Sequence, residues 1–202
     1  MSTHHGMHVT QRFHWHRTSA SATSAKPAVA VTAREASIAG LRIGVGFVFL
    51  WAFLDKTFGL HYSTQSKGAW IHGGSPTKGF LSHVSVGPFQ SAFHSMAGNG
   101  FVDWMFMLGL LGIGAAMVTG VGLRIAAVSG ILLVTMMWLA VYPPAQHTAK
   151  GAATGSNNPF VDDHVLEALA LTAAAVFGAG SRIGLGAWWA RIPFVNKHRS
   201  LI

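Results

Sequence analysis

Apolar residues in this chain gather into long runs separated by polar stretches. A helix that crosses the hydrocarbon core of a bilayer needs roughly 17–25 mostly apolar residues. Four runs approach that length. They are residues 36–58, containing LRIGVGFVFLWAFL, residues 104–123, residues 125–142, and a run that starts at Asp163 or His164 and ends near Gly180. Only Gly122, Leu123 and Arg124 lie at the junction of the second and third runs, which predicts a tight antiparallel hairpin. A soluble all-α bundle needs polar outer faces on its helices, and the second and third runs have almost none. The pattern predicts an all-α integral membrane four-helix bundle over residues 36–182.

The polar stretches predict the rest of the organisation. Residues 1–35 are rich in Ser, Thr, Ala and His without an apolar period, and read as a disordered cytoplasmic tail. Residues 183–202 contain GLGAWWARIPFV, with Trp188 and Trp189 near Arg182 and Arg191. That is aromatic-belt composition, so this segment is expected to lie along the inner membrane interface. The stretch between the first two spans is too long for a simple connector. Its Trp70, Ile71, Phe80, Leu81, Phe89 and Phe93 are too apolar for a free linker, while its Gly and Pro residues break any long helix. A folded cap of short helices and turns is expected on the outer side. It either roofs a pocket for an amphipathic small molecule or only shields the bundle end. Small residues recur at helical spacing, with Gly40 and Gly44 in the first span, Gly109, Gly112, Gly114 and Gly120 in the second, and Ala170, Ala174 and Gly178 in the fourth. Such positions predict close helix–helix packing.

Composition strengthens the membrane reading. Charged residues are 10% of the 202, against about a quarter in water-soluble domains. The net charge of +8 does not form the single basic stripe of a nucleic-acid binder, because the cations flank the apolar runs. Arg12, Arg17, Arg34, Arg124, Arg191 and Lys197 fall on one side with both tails, and Asp55, Asp103, Asp162 and Asp163 on the other. The positive-inside rule then predicts cytoplasmic termini in a prokaryotic plasma membrane, with both long loops outside. No cleavable signal peptide is expected, since the tail is long and no small-residue cleavage site follows the first run. Cys is absent, which excludes disulfides, thiolate nucleophiles and Cys-bound iron–sulfur clusters. No haem is expected either, because no clear pair of haem ligands stands out.

Ionisable groups within or at the ends of spans are costly and therefore point to function. Arg42 lies near the inner end of the first span, as a snorkelling anchor or a ligand-binding group. Asp55 and Lys56 are neighbours at its outer end and point in different directions, so each is expected to seek a partner on another helix. Three of the six acids fall within NNPFVDDHVLEALAL, residues 157–171. Pro159 disfavours helix before the acids, and Asp162 or Asp163 makes a good N-cap. Asp163, His164 and Glu167 can share one helix face, and Glu167 lies about a turn deeper than capping requires. Two readings stay open there: cap and packing alone, or proton transfer and ligand binding. His61, His72, His83 and His94 are spaced by eleven, but Gly73, Gly74, Pro76, Gly87 and Pro88 interrupt any helix that would align them. The spacing reads as coincidence ahead of a metal site, and no metal ligands are assigned.

Five stretches, LRIGVGFVFLWAFLDK, GAWIHGGSPTKGFL, MLGLLGIGAAMVTGVGLRIAA, NPFVDDHVLEALAL and GAGSRIGLGAWW, resemble the DoxX/DoxD-like membrane protein family, closest to its DoxD branch. The resemblance covers about residues 36–190. Its broader features are Arg42, the Asp55–Lys56 pair, and Gly120, Gly122 and Arg124. Many relatives carry an acid early in the second span, where this chain has only Asp103 just before Trp104. The resemblance implies a four-helix membrane subunit of a thiosulfate:quinone oxidoreductase, working with a second subunit. It implies quinone bound near the outer leaflet, with His164, Asp163 and Glu167 delivering protons and Arg42, Asp55, Lys56 and Trp70 holding the ring. The alternative is a non-catalytic accessory subunit that scaffolds a larger respiratory or redox complex. In both cases the expected partners are the lipid bilayer and other membrane subunits.

Overall fold

The computed structural model describes residues 31–85, 87–142, 146–147, 151–153, 156, 158–178, 180, 183–198 and 201. Most of the expected N-terminal tail therefore lies outside the described residues. Among those described, the chain is helical. Its elements are α1 (Ala33–Phe58), α2 (Lys78–Leu81), α3 (Gln90–Met96), α4 (Gly100–Thr119), α5 (Leu123–Val141), α6 (Asp163–Val176), α7 (Gly186–Trp189) and α8 (Pro193–Lys197). Two 3₁₀ turns, Ser66–Gly68 and Trp70–His72, follow α1.

Capping chemistry explains where the long helices start and stop. The Thr32 hydroxyl accepts from the Glu35 N–H at 3.2 Å, and the Glu35 carboxylate accepts from the Thr32 N–H at 2.9 Å. This reciprocal box starts α1 three residues before the apolar run. Gly59, at φ +66°, ends it in the left-handed conformation. The Asn99 side chain accepts from the Phe101 and Val102 N–H groups, so α4 begins at Gly100, four residues ahead of Trp104. Gly120, at φ +81°, then turns the chain into α5.

Three helices, α1, α4 and α5, are long and apolar enough to cross a membrane. The 14 residues of α6 rise about 21 Å. That is short of the hydrocarbon thickness of about 30 Å. The predicted fourth run stops early because the chain leaves the helix at Phe177 and takes φ +60° at Gly178.

α1 packs on α4 and α6, and α5 packs on the same two helices. Their shared core includes Phe49 of α1, Met107, Ile113 and Met117 of α4, Val134 of α5, and Leu171 of α6. The close crossing of α1 and α4 runs through Gly46 and Gly114. A Cβ on Gly46 would lie 2.7 Å from the Met117 Cβ, and one on Gly114 would lie 2.7 Å from the Leu50 nitrogen. Gly114 packs as expected, whereas Gly40, Gly44 and Gly112 have open space around such a Cβ, and on α1 the packing role falls to Gly46. Opposite the core, large apolar side chains face outward: Phe47 and Val48 on α1, Trp104 and Leu108 on α4, Val128 and Leu132 on α5. Three long helices with apolar outer faces fit a lipid bilayer and not water.

A second apolar cluster lies at the α1 C-terminal end. Leu81, Val84 and Phe93 pack against Ala140 of α5, with Val102 and Leu139 beside them. The stretch after α1 is thus a folded layer on the ends of α4 and α5, built of short helices and turns. Asp55, Asp103, Asp162, Asp163 and Glu167 belong to this end of the helices.

Candidate functional site

The acids at this end differ sharply in how they are used. Asp55 is 1% exposed, and its carboxylate accepts from the Tyr62 N–H at 3.1 Å, the Ser63 N–H at 3.0 Å and the Ser63 hydroxyl at 2.6 Å. It closes the turn that follows its own helix. His61 sits in that turn at φ +68°, with its N–H donating to the Thr64 carbonyl. Lys56 donates to the same Ser63 hydroxyl at 3.3 Å. Asp55 and Lys56 therefore find their partners in the adjoining loop and not on another helix, contrary to the expectation from their spacing.

Asp103, in the first turn of α4, plays a part that no spacing argument assigned to it. Its Oδ1 accepts from the Ser75 hydroxyl at 3.0 Å, the Thr77 N–H at 3.0 Å and the Thr77 hydroxyl at 2.6 Å. The GGSPT segment, 73–77, is thus docked on the start of α4. Gly74 is needed there because a Cβ would run into the backbone of Gly68 and Ala69. Trp70 meets Trp104 edge to face, with ring centroids 4.5 Å apart. The available signal was a lone acid at the start of an apolar run, preceded by a Ser/Thr-containing turn. It does not name its partner.

Arg42 lies at the opposite end of α1. Thirteen residues of helix separate it from Asp55, a rise of about 20 Å. These two cannot hold one small ligand. The Arg42 side chain is 1% exposed, and Nη1 donates to the Met117 carbonyl at 2.7 Å and the Val118 carbonyl at 3.3 Å. Nη2 donates to the Ile183 carbonyl at 2.9 Å. Carbonyls in the last turn of a helix lack intrahelical donors, and a cation there also meets the negative end of the helix dipole. Arg42 therefore closes α4, and it is no snorkelling anchor.

At the start of α6 the two open readings divide by residue. Asp162 is the N-cap: its Oδ1 accepts from the Val165 N–H at 3.2 Å, and its Oδ2 is 2.8 Å from His164 Nδ1. The Asp163 side chain is 82% exposed and its carboxylate is 3.5 Å from the same ring nitrogen. Asp163 therefore turns outward, away from the face it was expected to share. His164 and Glu167 are half-buried and lie on the stripe that continues through buried Leu171 and Ala174. Glu167 has no hydrogen bond from any described residue. Donor atoms of Asp162, Asp163 and His164 lie within 4.8 Å of one another, a spacing that the cap and its imidazole contact already explain.

The four histidines at constant spacing bond within the cap, two of them to the same residue. His61 bonds Ser66 Oγ, His72 the Ser66 carbonyl, His83 the Gly79 carbonyl and His94 the Val84 carbonyl. His61 and His72 thus meet at Ser66, while His83 and His94 bond elsewhere, so the four do not gather at one site.

A quinone needs an apolar slot with a donor or acid at its carbonyl oxygens. Arg42 and Asp55 do not fit that requirement: both are buried, Asp55 holds its loop donors, and Arg42 holds backbone carbonyls through Nη1 and Nη2 while its Nε is buried without a partner among the described residues. His164 and Glu167 supply ionisable groups of that kind on the α6 face, and Lys56 is a cation at the same end of the helices. Comparison with protein-family models, curated proteins and solved structures finds no match to this chain.

Proposed function

We propose that the chain is a four-span bundle with cytoplasmic termini, acting as the membrane subunit of a quinone-linked oxidoreductase of the DoxX/DoxD-like kind. In this reading α6 and the residues after it make the fourth crossing, with the bilayer thinning to match its length. The observation that carries the reading is Glu167, a half-buried carboxylate on the core-facing stripe beside His164 and without a hydrogen-bond donor among the described residues. A polar group placed this way costs stability and is kept where it has chemistry to perform.

Bound quinone accepts two electrons and two protons. This chain has no cysteine ligand set to carry the electrons, so they come from a partner subunit. Glu167 and His164 hold the protons within reach of one another on successive turns of α6, and Asp162 fixes the imidazole through its Nδ1 contact. Lys56 supplies positive charge at the same end.

The test is thiosulfate-dependent reduction of a short-chain ubiquinone analogue by membranes containing the complex. Glu167→Gln and His164→Ala should each lower turnover by about a hundredfold, the lower range for loss of a general acid–base group. Both variants should keep wild-type thermal stability in detergent. Wild-type turnover in both removes the proposal.

The accessory-subunit reading rests on a different observation: Arg42, Asp55 and Asp103 all spend their charge inside the chain. It predicts that the protein purifies in mild detergent with a larger redox complex. The isolated chain would then carry no quinone.

A further inference from the structure

The end of the molecule opposite Asp55, Asp103 and the α6 acids, where Glu35 caps the start of α1, is built differently. After Glu167 the sequence has no acid, while it carries Arg182, Arg191, Lys197 and Arg199. The segment there is firmly attached. The Leu185 N–H donates to the Thr119 carbonyl at 2.8 Å, and Arg42 holds the Ile183 carbonyl. A Cβ on Gly184 would lie 2.6 Å from the Thr119 carbonyl oxygen, so the segment is pressed directly onto the end of α4. Val195 of α8 is buried to 1% exposure, and the Trp189 indole N–H donates to the Leu201 carbonyl at 2.9 Å. Yet Leu185, Trp188 and Phe194 are 52%, 61% and 65% exposed on the same fixed platform. Arg191 and Lys197 are exposed beside them.

A surface that keeps two large aromatic rings in the open, with cations among them and no acid within residues 185–197, matches the headgroup layer of a bilayer. Its charge makes the match specific, because cations near a membrane surface gain from anionic headgroups and not from zwitterionic ones. We propose that residues 185–197 form a docking surface for anionic phospholipid headgroups, tethered at its start to the end of α4 by Arg42 and Thr119. Trp188 and Phe194 enter the boundary between headgroup and acyl chain, and Arg191 and Lys197 contact the phosphates. Arg42 is a positioning residue here, since its guanidinium is enclosed and touches no lipid. The proposal rests on the membrane reading above, and the control below separates the two.

The native chain has no Cys, so one introduced thiol can be labelled cleanly. A polarity-sensitive fluorophore on Phe194→Cys is followed in the full chain reconstituted into phosphatidylcholine vesicles, with or without phosphatidylglycerol. Lipids spin-labelled near the headgroup and aqueous iodide serve as quenchers. With phosphatidylglycerol, lipid quenching should rise and iodide quenching fall, and high salt should reverse both changes. Arg191→Ala and Lys197→Ala should each weaken docking by about fivefold, from roughly 1 kcal/mol per cation at an anionic surface. Equal quenching in both lipid compositions overturns the proposal, as does a label shielded from lipid and iodide alike, which would mark a protein partner. A label on Leu132→Cys, on the outward face of α5, is the control. If lipid does not quench that position, the membrane reading itself fails.

Discussion

The Thr77 hydroxyl donates to Asp103 Oδ1 at 2.6 Å, joining a loop turn to the first turn of a helix 26 positions later in the chain. With the Thr77 N–H and the Ser75 hydroxyl on the same oxygen, one carboxylate atom organises the loop. Asp103→Ala leaves those donors buried or half-buried without their acceptor. Each such loss costs about 1–3 kcal/mol. The expected result is a lower melting temperature in detergent and new protease cleavage within 60–99. Thr77→Val should give a smaller shift, since the backbone N–H bond survives.

Arg42 makes a sharper case. Its planar fork reaches carbonyls on two separate segments, which a lysine ammonium cannot reproduce with the same geometry. Arg42→Met should destabilise by about 1–3 kcal/mol for each carbonyl stranded. Arg42→Lys should recover part of that loss. Proteolysis of the segment after Gly180 should accelerate in the order wild type, Lys, Met, and thermal unfolding of purified protein would rank them in the same way.

The glycines of α1 divide into two kinds. Gly46→Ala forces a methyl into the Met117 Cβ at 2.7 Å and the Val118 nitrogen at 2.9 Å, so the α1–α4 crossing must open. Gly44→Ala meets nothing within 4 Å and gains helix propensity of about 0.5–1 kcal/mol. The first variant should melt lower and the second at or above wild type.

At the α6 start, Asp162→Ala removes an N-cap at a cost of about 0.5–2 kcal/mol and releases the His164 ring. Asp163→Ala removes an exposed carboxylate and should leave thermal stability unchanged within about 0.5 kcal/mol. Equal destabilisation by both would show that the two acids share the cap.

Periodicity and length were enough to locate four helices, because apolar runs and capping residues are local features. The hairpin between α4 and α5 followed from a single short junction around Gly122. What escaped were the partners. Nothing in the spacing of Asp55 says that it turns back onto Ser63, or that Asp103 takes Ser75 and Thr77. Those bonds depend on the path of the loop, which Gly59 and Gly74 set through backbone conformation and close approach. The glycine stripe misled in a similar way: Gly40 and Gly44 have the right spacing for an interface, but the helix turns Gly46 toward α4. In the candidate site, the shared helix face of His164 and Glu167 was legible from their three-residue interval. The outward turn of Asp163 was not, because Asp162 takes the cap and rotates its neighbour away.

The Ile183 carbonyl that Arg42 holds lies 141 positions downstream. A ribosome therefore makes Arg42 141 residues before its last acceptor. Until then the first helix carries a guanidinium whose final partner does not yet exist. This contact therefore forms only after all four long helices have been made, and the closing bond reports that the segment following α6 has reached the end of α4.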